Sequence, residues 1–308
     1  MIVTVTCNPA VDVTYRVDSL APGEVHRVDS VVERPGGKGV NVSRVLHQLG
    51  VQSIATGLAD ARFGASVEAL GVRAAFVPAL PQVRRTLVVH GDEATTSFWE
   101  PGPPAAHEAE DALEDMVTGL LADASALVVS GSLPFGVDPR LPARLAGLAT
   151  AAGVPVVLDL DGPALRAAAD RSGAVLVPNL DELVGMVGRD ARSDVVAAAR
   201  DLSARSGAPV VVTLGAAGML AVDGAECWRA EAPERLVGNP TGAGDAAAAA
   251  IARGLDSAAG WPQILADATA LSAAAVMAPV AGEVDLASYE RWRRLVDVRA
   301  VQPATAGR

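Results

Sequence analysis

The chain has 308 residues, half of them hydrophobic and a fifth charged, with a formal net charge of −11. That length is enough to bury a full core as one large α/β domain or two smaller ones. The acidic balance argues against a nucleic-acid partner, which needs a basic face. Two cysteines, Cys7 and Cys227, are too few for a disulfide framework, and no Cys/His spacing resembles a zinc site.

In chain order, residues 2–6 read as a strand that starts at the first residues, without the basic and apolar regions of a signal peptide. No run approaches the length of a membrane span, so the expectation is a cytoplasmic protein with no membrane partner. Residues 8–12 form a loop after this strand. Segments at about 13–34 and 84–99 read as half-exposed strands without crossover helices, which fits a small accessory sheet projecting as a lid. Buried β-type runs recur at 52–55, 126–130, 154–159, 174–177 and 209–214. Helical stretches at 41–49, 108–121, 140–151, 163–171 and 194–206 alternate with them. That alternation predicts a single doubly wound α/β unit, with a mostly parallel sheet covered by helices on both faces. The tail after Val301 is small and polar and is expected to fray.

Two glycine-rich loops stand out. Gly36-Gly37-Lys38-Gly39 contains the only lysine of the chain; every other basic residue counted among the 25 Lys+Arg is arginine. A compact ammonium kept between glycines suits a site where a guanidinium would not fit. Thr241-Gly242-Ala243-Gly244-Asp245 precedes an alanine run and reads as a loop turning into a helix, with first-turn N–H groups free to face an anion. A carboxylate beside an anion cradle makes sense if Asp245 takes a proton from an attacking hydroxyl. The alternative is a plain helix start with an acid in its first turn.

Further loops fall at strand C-terminal ends, where α/β folds bind ligands: 131–134, 159–162 and 178–182. Asn179-x-x-Glu182 brings two oxygen side chains into one turn, suited either to capping a helix or to holding Mg²⁺ through water. A P-loop is excluded because Lys38 is followed by Gly39. The match of 242–247 to a dinucleotide fingerprint lacks a preceding strand.

Taken in order, Asn8-Pro9-Ala10-Val11-Asp12, Gly36-Gly37-Lys38-Gly39-Val40-Asn41, Glu100-Pro101-Gly102-Pro103, Gly131-Ser132-Leu133-Pro134, Pro178-Asn179-Leu180-Asp181-Glu182 and Thr241-Gly242-Ala243-Gly244-Asp245 resemble the PfkB family of carbohydrate kinases, with the ribokinase-like fold. The N-terminal block is most similar to the branch that phosphorylates sugar phosphates, which includes 1-phosphofructokinase and tagatose-6-phosphate kinase. The resemblance implies ATP and Mg²⁺ as cofactors, a sugar phosphate as partner, and a homodimer through the lid sheet as a possible assembly. It implies that Asp12, Gly37 and Asn41 hold sugar hydroxyls. Lys38 and an arginine of the pair Arg84 and Arg85 face the sugar's phosphate, with Arg27 nearby. Asp245 is then the base, and Gly242, Ala243 and Gly244 supply the anion hole. Asn179 and Glu182 organise Mg²⁺, Thr213, Gly215 and Gly218 border the nucleotide, and Ala274 leaves room for adenine.

The chain departs from the family pattern at Val83-Arg84-Arg85-Thr86, where an asparagine is missing, at Val177, and at Ala59-Asp60-Ala61-Arg62, where a double glycine is expected. A kinase of an unphosphorylated sugar or nucleoside, and a non-catalytic sugar- or nucleotide-binding protein, stand as alternatives.

Overall fold

The computed structural model describes residues 1–92, 95–170, 172–234, 236 and 238–301. The chain opens with β1 (Ile2–Thr6), β2 (Ala10–Arg16), β3 (Ser30–Gly36) and α1 (Lys38–Gln48). It continues through β4 (Ser53–Ala59), α2 (Phe63–Glu68), β5 (Arg73–Pro78), β6 (Arg84–His90) and β7 (Thr95–Trp99). Helices and strands then alternate: α3 (Ala109–Leu121), β8 (Ala126–Gly131), α4 (Leu141–Ala151), β9 (Val156–Leu160), α5 (Gly162–Ala168), β10 (Val175–Leu176), α6 (Leu180–Val187) and α7 (Val195–Ser206). The last part holds β11 (Val210–Thr213), β12 (Met219–Asp223), β13 (Glu226–Ala230), α8 (Ala243–Asp256), α9 (Trp261–Val276), α10 (Leu286–Trp292) and β14 (Val298–Ala300).

The large sheet runs β14-β13-β12-β11-β10-β9-β8-β1-β4-β5. From β5 to β11 every pairing is parallel, and β12, β13 and β14 extend it antiparallel. Successive side chains of a strand point to opposite faces, and here both faces are buried. Val3, Val5, Leu127 and Leu158 pack into one core cluster with Leu113 of α3, Leu145 of α4 and Leu202 of α7. Ile2, Val128, Val157 and Val211 pack into the other with α1, α8 and α9. The run from Ala246 to Ala250 is fully buried there, because methyl-sized side chains let α8 lie close to α1 and α9. This is the doubly wound α/β architecture that the alternation of runs predicts.

The second sheet has four strands in the order β3-β2-β6-β7. Its central pair, β2 and β6, is parallel, and both outer pairings are antiparallel. Two expectations need correction. The first segment is not continuous strand: residues 17–29 form a connection, broken by Pro22-Gly23, where Gly23 adopts φ +85°. In addition β2 starts at Ala10, so Asp12 is a strand residue and not part of a loop. The β12–β13 hairpin was not expected; its signal is the Asp223-Gly224 turn, with Gly224 at φ +55°. The end of the predicted helix 163–171 at Arg171, and the tail beyond Val301, lie outside the described residues.

One close approach fixes the sheet beside the future site. Gly57 of β4 pairs with Thr6 of β1 at φ +142°, and a Cβ there would lie 1.9 Å from the Thr6 carbonyl oxygen. Gly57→Ala is therefore expected to cost about 1–3 kcal/mol through overpacking. A urea titration checks this; an unchanged midpoint would contradict the register.

Candidate active site

The site forms where the C-terminal ends of β1 and β9 meet the N-termini of α1 and α8. Gly37 adopts φ +101° and turns the chain from β3 into α1, in contact with Thr6 and Pro9. Gly36 touches Asp12 so closely that a Cβ would lie 2.0 Å from Asp12 Oδ2. The double glycine is thus required by the carboxylate it faces. From α1, Lys38 Nζ donates to Asp159 Oδ1 at 3.0 Å, and Asn41 Nδ2 donates to Asp245 Oδ2 at 2.9 Å. Arg44 follows after three more residues, as the geometry of one helix edge requires, and donates to the Ala281 carbonyl at 2.8 Å.

Asp245 lies in the first turn of α8 and is only 6% exposed. Burial, and next the nearby charge of Asp159, push its pKa up to about 7; Lys38 and the Asn41 bond oppose this, and Asp12 adds to it. Burial also lifts Asp12 to about 6, against the pull of Arg44, Arg84 and Thr86. Burial alone would lower Lys38, but the Asp159 and Asp245 carboxylates reverse that and raise it, so it stays an ammonium. Burial raises Glu182, opposed by the Asn179 amide and Lys38 and helped by Asp159 and Asp161.

Gly242, at φ +88°, caps α8. Among the described residues the amides of Gly242, Gly244 and Asp245 meet no acceptor, and nothing stands within 4 Å of where a Gly244 Cβ would be. The Ala243 amide, in contrast, donates to the Pro240 carbonyl at 3.2 Å. The amides left open at this helix end are therefore those of Gly242, Gly244 and Asp245, and the expectation that Ala243 offers its own is corrected.

These groups open onto a cavity of about 380 Å³, within the range of small-molecule sites. Its floor includes Thr6, Asn8, Lys38, Ser132, Asp161 and Asp245, and the small sheet roofs it with Thr14, Arg34, Thr86, Val88, His90 and Trp99. Of the lining residues, Thr6 Oγ1, Asn8 Oδ1 and Asn41 Oδ1 are buried without a partner among the described residues, as are Ser130 Oγ and Asp159 Oδ2 at the ends of β8 and β9. Buried polar atoms of this kind call for partners from outside the chain.

The other expected residues divide. Arg84 lines the cavity, donating to Asn8 O (3.2 Å) and Glu100 O (3.0 Å). Arg85, next along the strand, points to the opposite face and pairs with Glu33, so it does not join the site. Arg27 is exposed on the 17–29 connection and is not among the cavity-lining residues. Ala274 is fully buried in the α8–α9 core and borders no open space, because its face of α9 is the packing face. Thr213 ends β11, its N–H donating to Pro178 O, and it bridges Asn179. Gly215 begins a short turn, and Gly218 is held by the hairpin, where a Cβ would lie 2.0 Å from Ala230 O.

Asn179 and Glu182 form a capping box: Glu182 Oε2 accepts from the Asn179 amide at 2.8 Å, and Asn179 Oδ1 from the Glu182 amide at 2.9 Å. Among the described residues no three acidic, imidazole or thiol groups converge closely enough to hold a metal directly. Burial raises the pKa of Glu182, and the charges of Asp159 and Asp161 add to the rise. That donor set fits a hydrated Mg²⁺, which keeps several of its waters.

Sequence reasoning missed Arg34, Arg44 and Glu283, and gave no role to Asp159 and Asp161. Arg44 was readable from its three-residue step after Asn41. Asp161 is the N-cap residue of α5, yet its side chain makes no cap bond and lines the cavity instead.

Fold and site together define a protein that gathers a helix end with open amides, a buried carboxylate and a lysine beside a polar cavity. Residues 3–285 match the model of the pfkB family of carbohydrate kinases, and the chain belongs to this family. Phosphofructokinase-2 from Escherichia coli in complex with fructose-6-phosphate is 27% identical, with TM-score 0.83, covering 95% of this chain and 98% of that one. A possible 1-phosphofructokinase from Thermotoga maritima shares the fold at 23% identity and TM-score 0.87, covering 98% and 99%. Arabidopsis thaliana ribokinase, complexed with ribose and ATP, shares it at 21% and 0.73, covering 95% and 98%. No helix among the described residues is long and apolar enough to cross a membrane.

The raised pKa of Asp245 gives a stability prediction. A folded pKa near 7 against 3.8 for the free side chain means folding favours the protonated carboxyl. That contribution is fully present below about pH 4 and is lost as pH rises to about 7. Asp245→Asn, which carries no charge, should gain thermal stability relative to wild type across that window, then hold a constant margin above it. Melting curves from pH 4 to 8 check this, and a margin that shrinks with pH would contradict it.

Proposed function

We propose that this chain is a cytoplasmic, ATP-dependent kinase of a hexose phosphate, of the 1-phosphofructokinase or tagatose-6-phosphate kinase type. The observation that carries this reading is Asp245, buried within one helical turn of the open Gly242 and Gly244 amides and held by Asn41. Asp12, the Gly37 backbone and Asn41 hold the sugar hydroxyls. Asp245 takes the proton of the hydroxyl as its oxygen bonds to the γ-phosphorus of ATP. The bond to the β-phosphate oxygen breaks and ADP leaves with that electron pair. The helix-end amides and Lys38 face the charge on the transferring group, where preorganised donors are most effective. Thr213, Gly215 and Gly218 border the nucleotide. Asn179 and Glu182 would hold, through water, the Mg²⁺ that neutralises its phosphates.

Among the described residues, Arg84 is the cavity-lining arginine without a carboxylate partner and is offered to the sugar's own phosphate, since Lys38 is paired with Asp159, and Arg34 and Arg44 with Glu283. The bound fructose-6-phosphate of the Escherichia coli neighbour supports a phosphosugar acceptor. One observation favours a second reading, an unphosphorylated sugar: the Asp161 carboxylate opens on the same cavity and would repel a phosphate. The exposed Val31 and Phe98 on the outer face of the small sheet suit a homodimer, which sedimentation of the purified protein tests.

Asp245→Asn should lower kcat by about 10²–10⁴-fold, the usual weight of a general base, with ATP binding retained; near wild-type turnover would remove Asp245 from the role. In a panel of fructose and tagatose phosphates, free sugars and nucleosides, Arg84→Ala should raise KM about tenfold or more for the phosphosugar alone, as expected for a lost charge-assisted bond. Arg85→Ala should do little. An equal effect of Arg84→Ala on phosphorylated and unphosphorylated acceptors would favour the plain sugar kinase.

A further inference from the structure

Glu283 lies on the segment 279–284 after α9, and its Oε1 accepts from two guanidinium groups. One belongs to Arg34, on β3 of the small sheet, where it lines the cavity. The other belongs to Arg44 of α1, at 3.2 Å, whose side chain is only 8% exposed. The segment is tied to α1 twice more, by the Arg44 bond to Ala281 O and by the Val284 amide donating to Gln48 Oε1 at 3.0 Å. Its other side backs the anion site. A Cβ on Gly242 would lie 3.0 Å from Ala281 Cα, and one on Gly282 would lie 2.8 Å from Asn41 Oδ1. Asn41 in turn holds Asp245.

One carboxylate therefore joins the roof of the cavity, the helix that carries Lys38 and Asn41, and the backbone behind Gly242. A buried Arg44 needs an anion in any case, because an unpaired buried charge is strongly destabilising. That need does not account for Arg34. It is half-exposed, would remain hydrated if left alone, and comes from a different sheet 249 positions away in sequence.

We propose that Glu283 is a positioning residue that couples the seating of the small sheet over the cavity to the geometry of the Gly242–Gly244 amides and Asp245. The idea extends the kinase reading. Docking of Arg34 on Glu283 holds the 279–284 segment against Gly242 and Asn41, so the base and anion site are ordered when the roof is in place. Closing a roof over phosphoryl transfer keeps water from competing with the sugar hydroxyl.

The test has two arms. In the first, hydrogen exchange is followed in the ligand-free wild type, Arg34→Met and Glu283→Gln. Both variants should speed exchange not only in β3 but also in residues 239–245, although the Arg34 side chain bonds only to Glu283 among the described residues. If Arg34→Met loosens β3 alone, the coupling is overturned. This arm needs no catalysis, so it stands even if the kinase reading fails.

The second arm is kinetic. Each variant should lower kcat/KM for the sugar by about tenfold, the weight of a charge-assisted bond, with KM for ATP little changed. The double variant should be no worse than Glu283→Gln, since both substitutions cut one connection. Additive losses in the double-mutant cycle would overturn the proposal. Arg34→Met leaves the buried Arg44–Glu283 pair intact, so the test survives if Glu283→Gln folds poorly. A wild type unable to phosphorylate any sugar would sink the kinase reading, and the exchange arm would then decide the coupling alone.

Discussion

The structure depends on a single ammonium placed among buried carboxylates. Asp12, Asp159 and Asp245 are each no more than partly accessible, and all lie near the entrance to α1. Negative groups gathered in a low-dielectric site would ordinarily protonate or push apart. Lys38 makes the arrangement tenable by bonding Asp159 and pulling against the rise of Asp245. It reaches that position because Gly37 turns the chain at positive φ, and because Gly36 leaves room for Asp12. The result is a carboxylate near neutrality in its pKa, beside amides that face open space. The proposed proton acceptor and the open amides thus share one turn of helix.

How much of this was readable from sequence follows from how local each feature is. Gly36-Gly37-Lys38-Gly39 and Gly242-Ala243-Gly244-Asp245 were legible because each loop and the helix it starts are contiguous. The parallel core was legible because strands buried on both faces need uninterrupted apolar runs. Arg84 was not separable from Arg85, since the phase of β6 decides which one faces the cavity, and phase is set by pairing with β2. Ala274 misled because small residues serve equally to admit a ligand and to let two helices pack. Arg34 and Glu283 carry no local signal, being brought together only by the tertiary fold.

The charges of the cavity also bear on its acceptor. Most of its cations already have carboxylate partners within the chain. Arg84 donates to backbone carbonyls, while Asp12, Asp161 and Glu100 lie near enough to act on its charge. Among the described residues, a phosphosugar would therefore meet one guanidinium without a carboxylate partner, with Asp161 working against it.

The central claim is that Asp245 acts as a base whose pKa is set by burial and by the charge of Asp159. The most direct measurement is the pH dependence of kcat/KM in the wild type and in Asp159→Asn. The account predicts an acid limb near pH 7 in the wild type. In the variant the limb moves to lower pH, because a repelling charge is gone and Lys38 is freed toward Asp245. An acid limb that stays in place or moves upward would contradict it.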